Sequence, residues 1–334
     1  MREIVYFRKY GRLAYPRILQ LEITNMCPLH CPQCYKDGFT QLHMDFTLAK
    51  MLVDEFTELG GKRTMLNGGE PLIYPHFTDL VTYISDKGVV PTTFTSGVGL
   101  DVSMINRLKE TKVELLISLN DSTEEINSTS RDGYNESLRA IKFLQKCGMT
   151  YGVNYVARHD NAHDFRHLVD FLKGYGCSEI TVVCNKVNGT GNVESALTRD
   201  DYDMIKAVSL DHSDFISMQN CNNIMAQYFY NMPISRLYGC PAGISSMCAT
   251  VDGSFVPCPH LYFKESRIYE SIQDYWDNSF YLNELRRWDT QDKTHCSNCS
   301  NKEKCNFCRA ISKECMENFS IGYQNCPLFE EESI

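Results

Sequence analysis

Apolar residues along this chain of 334 residues fall into two alternating rhythms. Short runs such as Ile18-Leu19-Gln20-Leu21-Glu22-Ile23-Thr24 place apolar side chains at every second position, the period of a strand. Longer stretches such as 46–59 place them three and four apart, the period of a helix, and this one stops at Gly60-Gly61, a plausible C-cap. The pattern predicts strands at 18–24, 64–66, 89–95, 113–119, 151–156 and 180–184, with helices at 46–59, 75–87, 101–110, 134–147 and 163–174.

Strands alternating with helices of ten to fifteen residues imply βαβ units and a parallel sheet. Six units between about 18 and 210 make an α/β fold, a partial (β/α)6 TIM-like barrel, although a doubly wound open sheet fits the same alternation. The polar or glycine-rich breaks fall at strand C-terminal ends: Cys27 to Cys34, Asn67 to Pro71, Ser96-Gly97, Ser118 to Asn120, Asn154 and Asn185. In barrels that end carries the chemistry, so these breaks converge on one face. Past about 211 the alternation fades and turns such as Asp252-Gly253 multiply. The expected division is a barrel over 1–215 and a small cysteine-rich domain over 216–334.

Composition narrows the chemistry. Lys+Arg 33 against Asp+Glu 42 gives a net charge of −9, which offers a nucleic acid no overall attraction. No apolar run reaches membrane length and the N-terminus has no signal-peptide h-region, so a cytosolic protein is expected. In that reducing setting the 16 cysteines read as metal or cluster ligands rather than disulfides. Three of them, Cys27, Cys31 and Cys34, form CxxxCxxC directly after the first strand. Three thiolates can hold one face of a cubic iron–sulfur cluster and leave one iron open for a ligand. Alone, the same spacing is also that of a zinc knuckle.

Joined to Gly68-Gly69-Glu70-Pro71 after the second strand, the motif resembles the radical S-adenosylmethionine (SAM) superfamily. The resemblance implies a [4Fe–4S] cluster on Cys27, Cys31 and Cys34, with SAM chelating the open iron and its amino group against the glycine turn. Reductive cleavage of SAM then gives a 5′-deoxyadenosyl radical. By the same resemblance Ser96, Ser118, Asn120 and Asn154 at strand ends, and Arg131 as a carboxylate-pairing guanidinium, join the SAM site. One position departs from the family: Gln33 stands before the third cysteine, where an aromatic residue is usual.

The tail has Cys240, Cys248, a Gly253-x₄-Cys258 step, Cys296-x₂-Cys299-x₅-Cys305-x₂-Cys308 and Cys326. This resembles the SPASM extension of peptide- and protein-modifying radical SAM enzymes, with two residues between its last clustered cysteines where three are usual. The resemblance implies two auxiliary [4Fe–4S] clusters, one on Cys240, Cys248, Cys258 and Cys308 and one on Cys296, Cys299, Cys305 and Cys326, hence three clusters in all. Cys248 is an optional ligand in this pattern, and a pair of Cys₄ zinc sites is the alternative for the tail. Of the other cysteines, Cys147 and Cys177 read as core residues, Cys315 lies near the second set without a partner position, and Cys221 is unassigned. Cys184, ending the sixth strand, reads as a buried core thiol, or as a hydrogen-atom donor to a substrate radical if it faces the active site.

The expected activity is that of a radical SAM/SPASM maturase. It abstracts hydrogen from a ribosomally made precursor peptide and yields a cross-link, an epimer or an oxidised residue. An external electron donor is implied. Only about seventeen residues precede the first strand, so leader recognition is expected from a separate protein, from the SPASM surface, or not at all. A sulfatase-maturing enzyme that generates formylglycine is the alternative, but there an aspartate follows the cysteine of the Gly-x₄-Cys step, where this chain has Pro259-His260. From another class stand a non-catalytic iron–sulfur electron carrier and a zinc-scaffolded binding protein.

Overall fold

The computed structural model describes the chain apart from residues 1–5, 8, 37–39, 188, 190–192, 219–222, 231–238, 287–294, 300, 302–304, 320, 324 and 329–334. Cys221 therefore lies outside the described residues. Strands β1 (Ile18–Thr24), β2 (Arg63–Gly68), β3 (Val90–Thr95), β4 (Glu114–Ser118), β5 (Gly152–Ala157) and β6 (Glu179–Cys184) stand where the two-residue period placed them. Between them run α1 (Phe46–Glu58), α2 (Phe77–Asp86), α3 (Val102–Leu108), α4 (Glu124–Ser128), α5 (Tyr134–Cys147) and α6 (Phe165–Gly174). The longer helices each carry one apolar stripe. In α1 the Asp45 side chain caps the start by accepting from the Leu48 N–H, and Ala49, Leu52, Val53 and Phe56 are buried at helical spacing.

The sheet extends beyond the six expected strands. After α7 (Arg199–Asp211), β7 (Ile216–Met218) pairs with β6, just past the expected end of the barrel. After α8 (Asn223–Tyr230) the chain returns to the opposite edge, where β8 (Ser246–Ala249) lies parallel to β1 and β9 (Phe255–Val256) antiparallel to β8. The resulting order is β7-β6-β5-β4-β3-β2-β1-β8-β9, nine strands in one sheet among the described residues. Helices α9 (Ile272–Asn278), α10 (Phe280–Arg286) and α11 (Lys313–Glu317) follow in the tail.

Register sorts the strand residues into two faces. Leu19, Leu21, Ile23, Leu66, Ile117, Val153, Tyr155, Ile180 and Val182 join the main apolar core with helix residues such as Phe56, Leu80, Leu144 and Leu168. The opposite parity mixes polar and apolar pairs: Glu22 pairs with Asn67, Thr92 with Glu114, Ser118 with Asn154, Asn154 with Thr181, and Thr181 with Ser217, while Phe94 pairs with Leu116 and Val156 with Val183. A parallel sheet normally buries apolar residues on both faces, so the polar pairs of this inner face mark positions suited to a ligand. Cys248 belongs to that inner face, opposite Gln20 of β1.

Candidate functional site

The cysteine loop is fastened to the glycine turn by main-chain bonds. The Gly69 N–H donates to the Thr24 carbonyl at 2.8 Å and the Glu70 N–H to the Met26 carbonyl at 2.9 Å. This closeness explains the glycines. A Cβ on Gly68, where φ is 141°, would stand 1.9 Å from the Thr24 oxygen, and one on Gly69 would stand 2.1 Å from the Met26 oxygen and 3.0 Å from Cys27 Cβ. Further along the loop, the Gln33 N–H donates to the Ser130 carbonyl at 3.1 Å and the His30 N–H to Asp132 Oδ2 at 3.2 Å. Loops from the ends of β1, β2 and β4 thus meet at the three thiols.

Cys27, Cys31 and Cys34 are all half-buried. Burial pushes the Cys27 thiol up to about 11, and the charges of Glu70, Cys31 and Cys34 add to the rise. A thiol raised in this way ionises only against positive charge, which iron would supply. Among the described residues no three His, Cys, Asp or Glu side chains are grouped so as to hold a single metal ion. A cube, with each ligand on its own iron, does not require that grouping.

The residues expected around SAM divide into two groups. Glu70 is 2% exposed, and its carboxylate accepts from the Leu72 N–H, Thr95 Oγ1, the Ser96 N–H and Ser96 Oγ. Burial pushes it up and these bonds pull it back. Glu70 and Ser96 therefore lock the end of β2 to the end of β3, and Pro71 opens the 3₁₀ turn that Glu70 caps. Asn120 is likewise committed, its Nδ2 donating to Ser130 Oγ at 2.8 Å and its Oδ1 accepting from the Val156 N–H at 3.1 Å. The second group is open. Arg131 is fixed by its main chain, donating to the Asn127 carbonyl at 2.8 Å and accepting from Asn127 Nδ2 at 2.9 Å, while its Nε is buried without a hydrogen-bond partner. A buried guanidinium nitrogen beside the cysteine loop fits the carboxylate of SAM. Ser118 and Asn154 stand side by side on the inner face of β4 and β5.

Several polar groups at this site escaped the sequence reading. Lys36, two residues past Cys34, is buried with its Nζ 2.5 Å from Glu22 Oε1 and 3.0 Å from Asn25 Oδ1. The signal was a carboxylate inside the apolar run of β1. Gln33 meets Arg158, whose Nη1 lies 3.5 Å from Gln33 Oε1 while Nε and Nη2 grip Asp160 at 2.8 and 2.7 Å. A polar partner thus awaits the residue that replaces the usual aromatic. Asp121 and Asp164 form a carboxyl pair beside Asn120, with His167 Nδ1 2.6 Å from Asp164 Oδ1. Burial, with Asp164 adding to it, pushes Asp121 from 3.8 up to about 6. The fold therefore favours protonated Asp121, and the stability it contributes is full below about pH 4 and lost as pH rises through about 6. Asp121→Asn is expected to melt with wild type near pH 4 and above it at pH 7.5, in paired thermal scans.

In the tail, contacts and charges divide the cysteines. Cys240 and Cys308 are buried together, with Cys258 packed against them. A thiol–thiol hydrogen bond pushes Cys240 up and holds Cys308 down, and the charge of Cys258 also raises Cys240. Cys258 adds to the rise of Cys248 as well, although burial is the main cause there. Cys326 is pushed up to about 12 by burial, with Cys305, Cys296 and Cys299 adding to it. The structure thus brings together Cys240, Cys258 and Cys308, with Cys248 near Cys258, and separately Cys296, Cys299, Cys305 and Cys326. Tyr35 and His260 link the first of these sets to the N-terminal loop: their rings are 4.6 Å apart, and the His260 N–H donates to Cys258 Sγ at 3.2 Å. Burial, then Lys186 and Lys36, lowers His260 to about 3, so its ring is neutral at physiological pH.

Cys184 has the parity of Val182 and Ile180, not that of Asn154 and Thr181. It is 3% exposed and lines a small cavity with Tyr202 and Tyr323 on the helix side of the sheet. Six residues of unbroken alternation from Glu179 turn Cys184 to the core side, the placement of a core thiol rather than of a residue facing the inner site. Cys177 donates to the Glu179 carbonyl at 3.0 Å and is a core thiol.

Residues 21–172 match the model of the radical SAM superfamily. The chain carries a radical SAM domain over those residues. Its overall fold is that of radical SAM enzymes with a cysteine-rich extension. It is similar to Streptococcus suis SuiB with S-adenosylmethionine, at a TM-score of 0.79 and 16% identity, covering 99% of this chain and 80% of that one. It is similar also to anSMEcpe with AdoMet and a peptide, at 0.66 and 17%, covering 89% and 90%. Among curated proteins, an AdoMet-dependent heme synthase of Methanosarcina barkeri is 23% identical over 88% of this chain and 91% of its own length. A PqqA peptide cyclase of Granulibacter bethesdensis is 24% identical over 53% and 50%. The chain is a radical SAM enzyme that binds SAM and a [4Fe–4S] cluster. No described helix of this radical SAM chain is long and apolar enough to cross a membrane.

Proposed function

We propose that this enzyme is a peptide maturase that removes hydrogen from a residue of a ribosomally made precursor, giving a cross-link, an epimer or an oxidised side chain. The observation that carries the reading is Cys248. It places a ligand candidate of the first auxiliary set on the same inner face that Ser118 and Asn154 line. A substrate in the lumen then lies between the N-terminal cluster and a second centre able to take up an electron. Supporting it, SuiB has been solved with its precursor peptide SuiA, and one relative is a peptide cyclase.

In this reading Cys27, Cys31 and Cys34 hold the N-terminal cluster, and the tail sets hold two auxiliary ones. SAM bound at the open iron supplies a 5′-deoxyadenosyl radical able to attack an unactivated C–H bond. The rest falls to the protein. Gly68 and Gly69 let the main chain approach the cofactor, Arg131 orients its carboxylate, and the Glu70 bonds keep the turn rigid. The Lys36–Glu22 pair and Tyr262, whose ring centroid is 5.2 Å from Lys36 Nζ, close the lumen from the tail side.

The test is anaerobic incubation of the reconstituted chain with SAM, reductant and a short peptide encoded beside its gene. Expected are 5′-deoxyadenosine and a matching change in peptide mass, or deuterium uptake from heavy water if a centre inverts. Absence of 5′-deoxyadenosine would sink the reading. A second reading, a heme-forming activity, is favoured by coverage, since heme synthase relatives match 88% of the chain and the peptide cyclase 53%. Tight binding of a porphyrin, seen as a shift in its visible absorption, would favour that one.

A further inference from the structure

The end of β5 carries a buried arginine, Arg158, directly after Ala157 and 4% exposed. Its Nε and Nη2 donate to Asp160 at 2.8 and 2.7 Å, and Nη2 donates also to Ser195 Oγ at 2.8 Å. Ser195 lies in the connection from β6 to α7, and the His159 N–H donates to its carbonyl at 3.1 Å, so that connection is fastened twice to the end of β5. The carboxylate of Asp160 answers the buried charge, which leaves Nη1 to be explained. Among the described residues Nη1 meets Gln33 Oε1, at 3.5 Å. That is long for a hydrogen bond, yet a guanidinium carries donors only, so the end of the amide turned toward it is the oxygen.

Gln33 stands between the second and third cysteines of the loop, and its N–H donates to the Ser130 carbonyl at 3.1 Å. Ser130 precedes Arg131, whose buried Nε fits the carboxylate of SAM, so Gln33 borders the cofactor site. The connection that holds Arg158 also presses on the next two residues of the loop: a Cβ on Gly189 would stand 2.2 Å from the Cys34 oxygen and 2.6 Å from Tyr35 Cα. With its oxygen turned to Arg158, the Gln33 side chain has its NH2 group, two donors, left. Of SAM, the carboxylate falls to Arg131 and the amino group to the glycine turn. The remaining acceptors are on the nucleoside, as ring nitrogens of adenine and oxygens of the ribose.

We propose that Arg158 is a positioning residue of the SAM site, turning the Gln33 amide so that its NH2 group donates to the nucleoside of SAM. The aromatic residue usual at this position offers a ring face and no directed donor, so the Gln33–Arg158 pair replaces packing with a hydrogen bond. Arg158 acts through Gln33 and touches neither cofactor nor substrate in this role. The inference concerns the SAM site alone and is independent of what the substrate is.

The experiment is calorimetric titration of SAM into the reconstituted full chain under anaerobic conditions, with iron and sulfide counted in each sample. It compares wild type, Gln33→Met, Gln33→Glu, Arg158→Lys and the double variant Gln33→Met/Arg158→Lys. Gln33→Glu keeps an oxygen for Arg158 and lacks the NH2 donors. Expected is SAM binding weakened about tenfold in each single variant, the size of one lost directed hydrogen bond, with no further weakening in the double variant. The change that SAM causes in the electron paramagnetic resonance signal of the reduced N-terminal cluster is expected to need correspondingly more SAM. An arginine that only supports the fold would lower stability without this coupling to Gln33. Wild-type SAM affinity in Gln33→Met or Gln33→Glu at full iron content overturns the proposal, as do effects that add in the double variant. Where Arg158→Lys does not fold, the two Gln33 variants decide by the same criterion. Analogues of SAM with CH in place of one adenine ring nitrogen assign the acceptor: one that binds wild type and Gln33→Met alike identifies the base, and a difference that persists with every analogue identifies the ribose.

Discussion

Replacing Cys27, Cys31 and Cys34 together with alanine is expected to abolish SAM cleavage while about eight of about twelve irons stay bound, one cube of four being lost. The reason is spatial separation. The three thiols sit on the loop after β1, and the tail cysteines gather in two sets of their own. Iron and sulfide assays paired with chromatography for 5′-deoxyadenosine check both halves. Retained cleavage would place SAM elsewhere, and loss of all iron would mean that the sets do not load independently.

Gly69→Ala is the second change with a large expected effect. Its new methyl group would meet the Met26 carbonyl oxygen at 2.1 Å, and neither backbone can yield without breaking the Glu70-to-Met26 bond. Overpacking of this kind costs about 1–3 kcal/mol. Because the misfit falls on the turn that approaches the cofactor, its upper end corresponds to roughly a hundredfold weaker SAM binding. Gly174→Ala is the control: it adds a methyl group with nothing within 4 Å. Calorimetric titration of SAM into both reconstituted variants makes the comparison, and equal affinities would remove the close-approach argument.

The strands and helices of the barrel were legible because their periods are long and clean. In α1, Ala49, Leu52, Val53 and Phe56 all fall on one stripe, and tertiary packing agrees with that local pattern. Strands β7 and β8 were not legible. The first has three residues, and the second, Ser246-Met247-Cys248-Ala249, shows no alternation that a polar–apolar reading could detect. The candidate cluster cysteines could be named only from their spacing together with the family resemblance, since CxxxCxxC alone also suits zinc. What spacing could not disclose is whether a polar side chain at a strand end has hydrogen-bonding capacity left. Asn120 and Arg131 looked alike as cofactor contacts, yet the Asn120 amide is bonded to Ser130 and Val156 while Arg131 Nε is not bonded. The Lys36–Glu22 contact was hidden for a related reason, since it joins a loop to a strand fourteen positions earlier.

The pairing of β8 with β1 carries a consequence for biosynthesis. More than two hundred residues separate the two strands, and at ordinary elongation rates the ribosome needs roughly 10–45 s to add them. Throughout that interval β1 has one unpaired edge, and the thiols that follow it lack the wall that Tyr262 and His260 later form. Nascent chains of this enzyme are therefore exposed to edge-to-edge association until residue 249 has left the exit tunnel, and to thiol oxidation until residue 262 has. Iron delivery timed after that moment, or a chaperone covering β1 before it, gives the higher yield of folded protein.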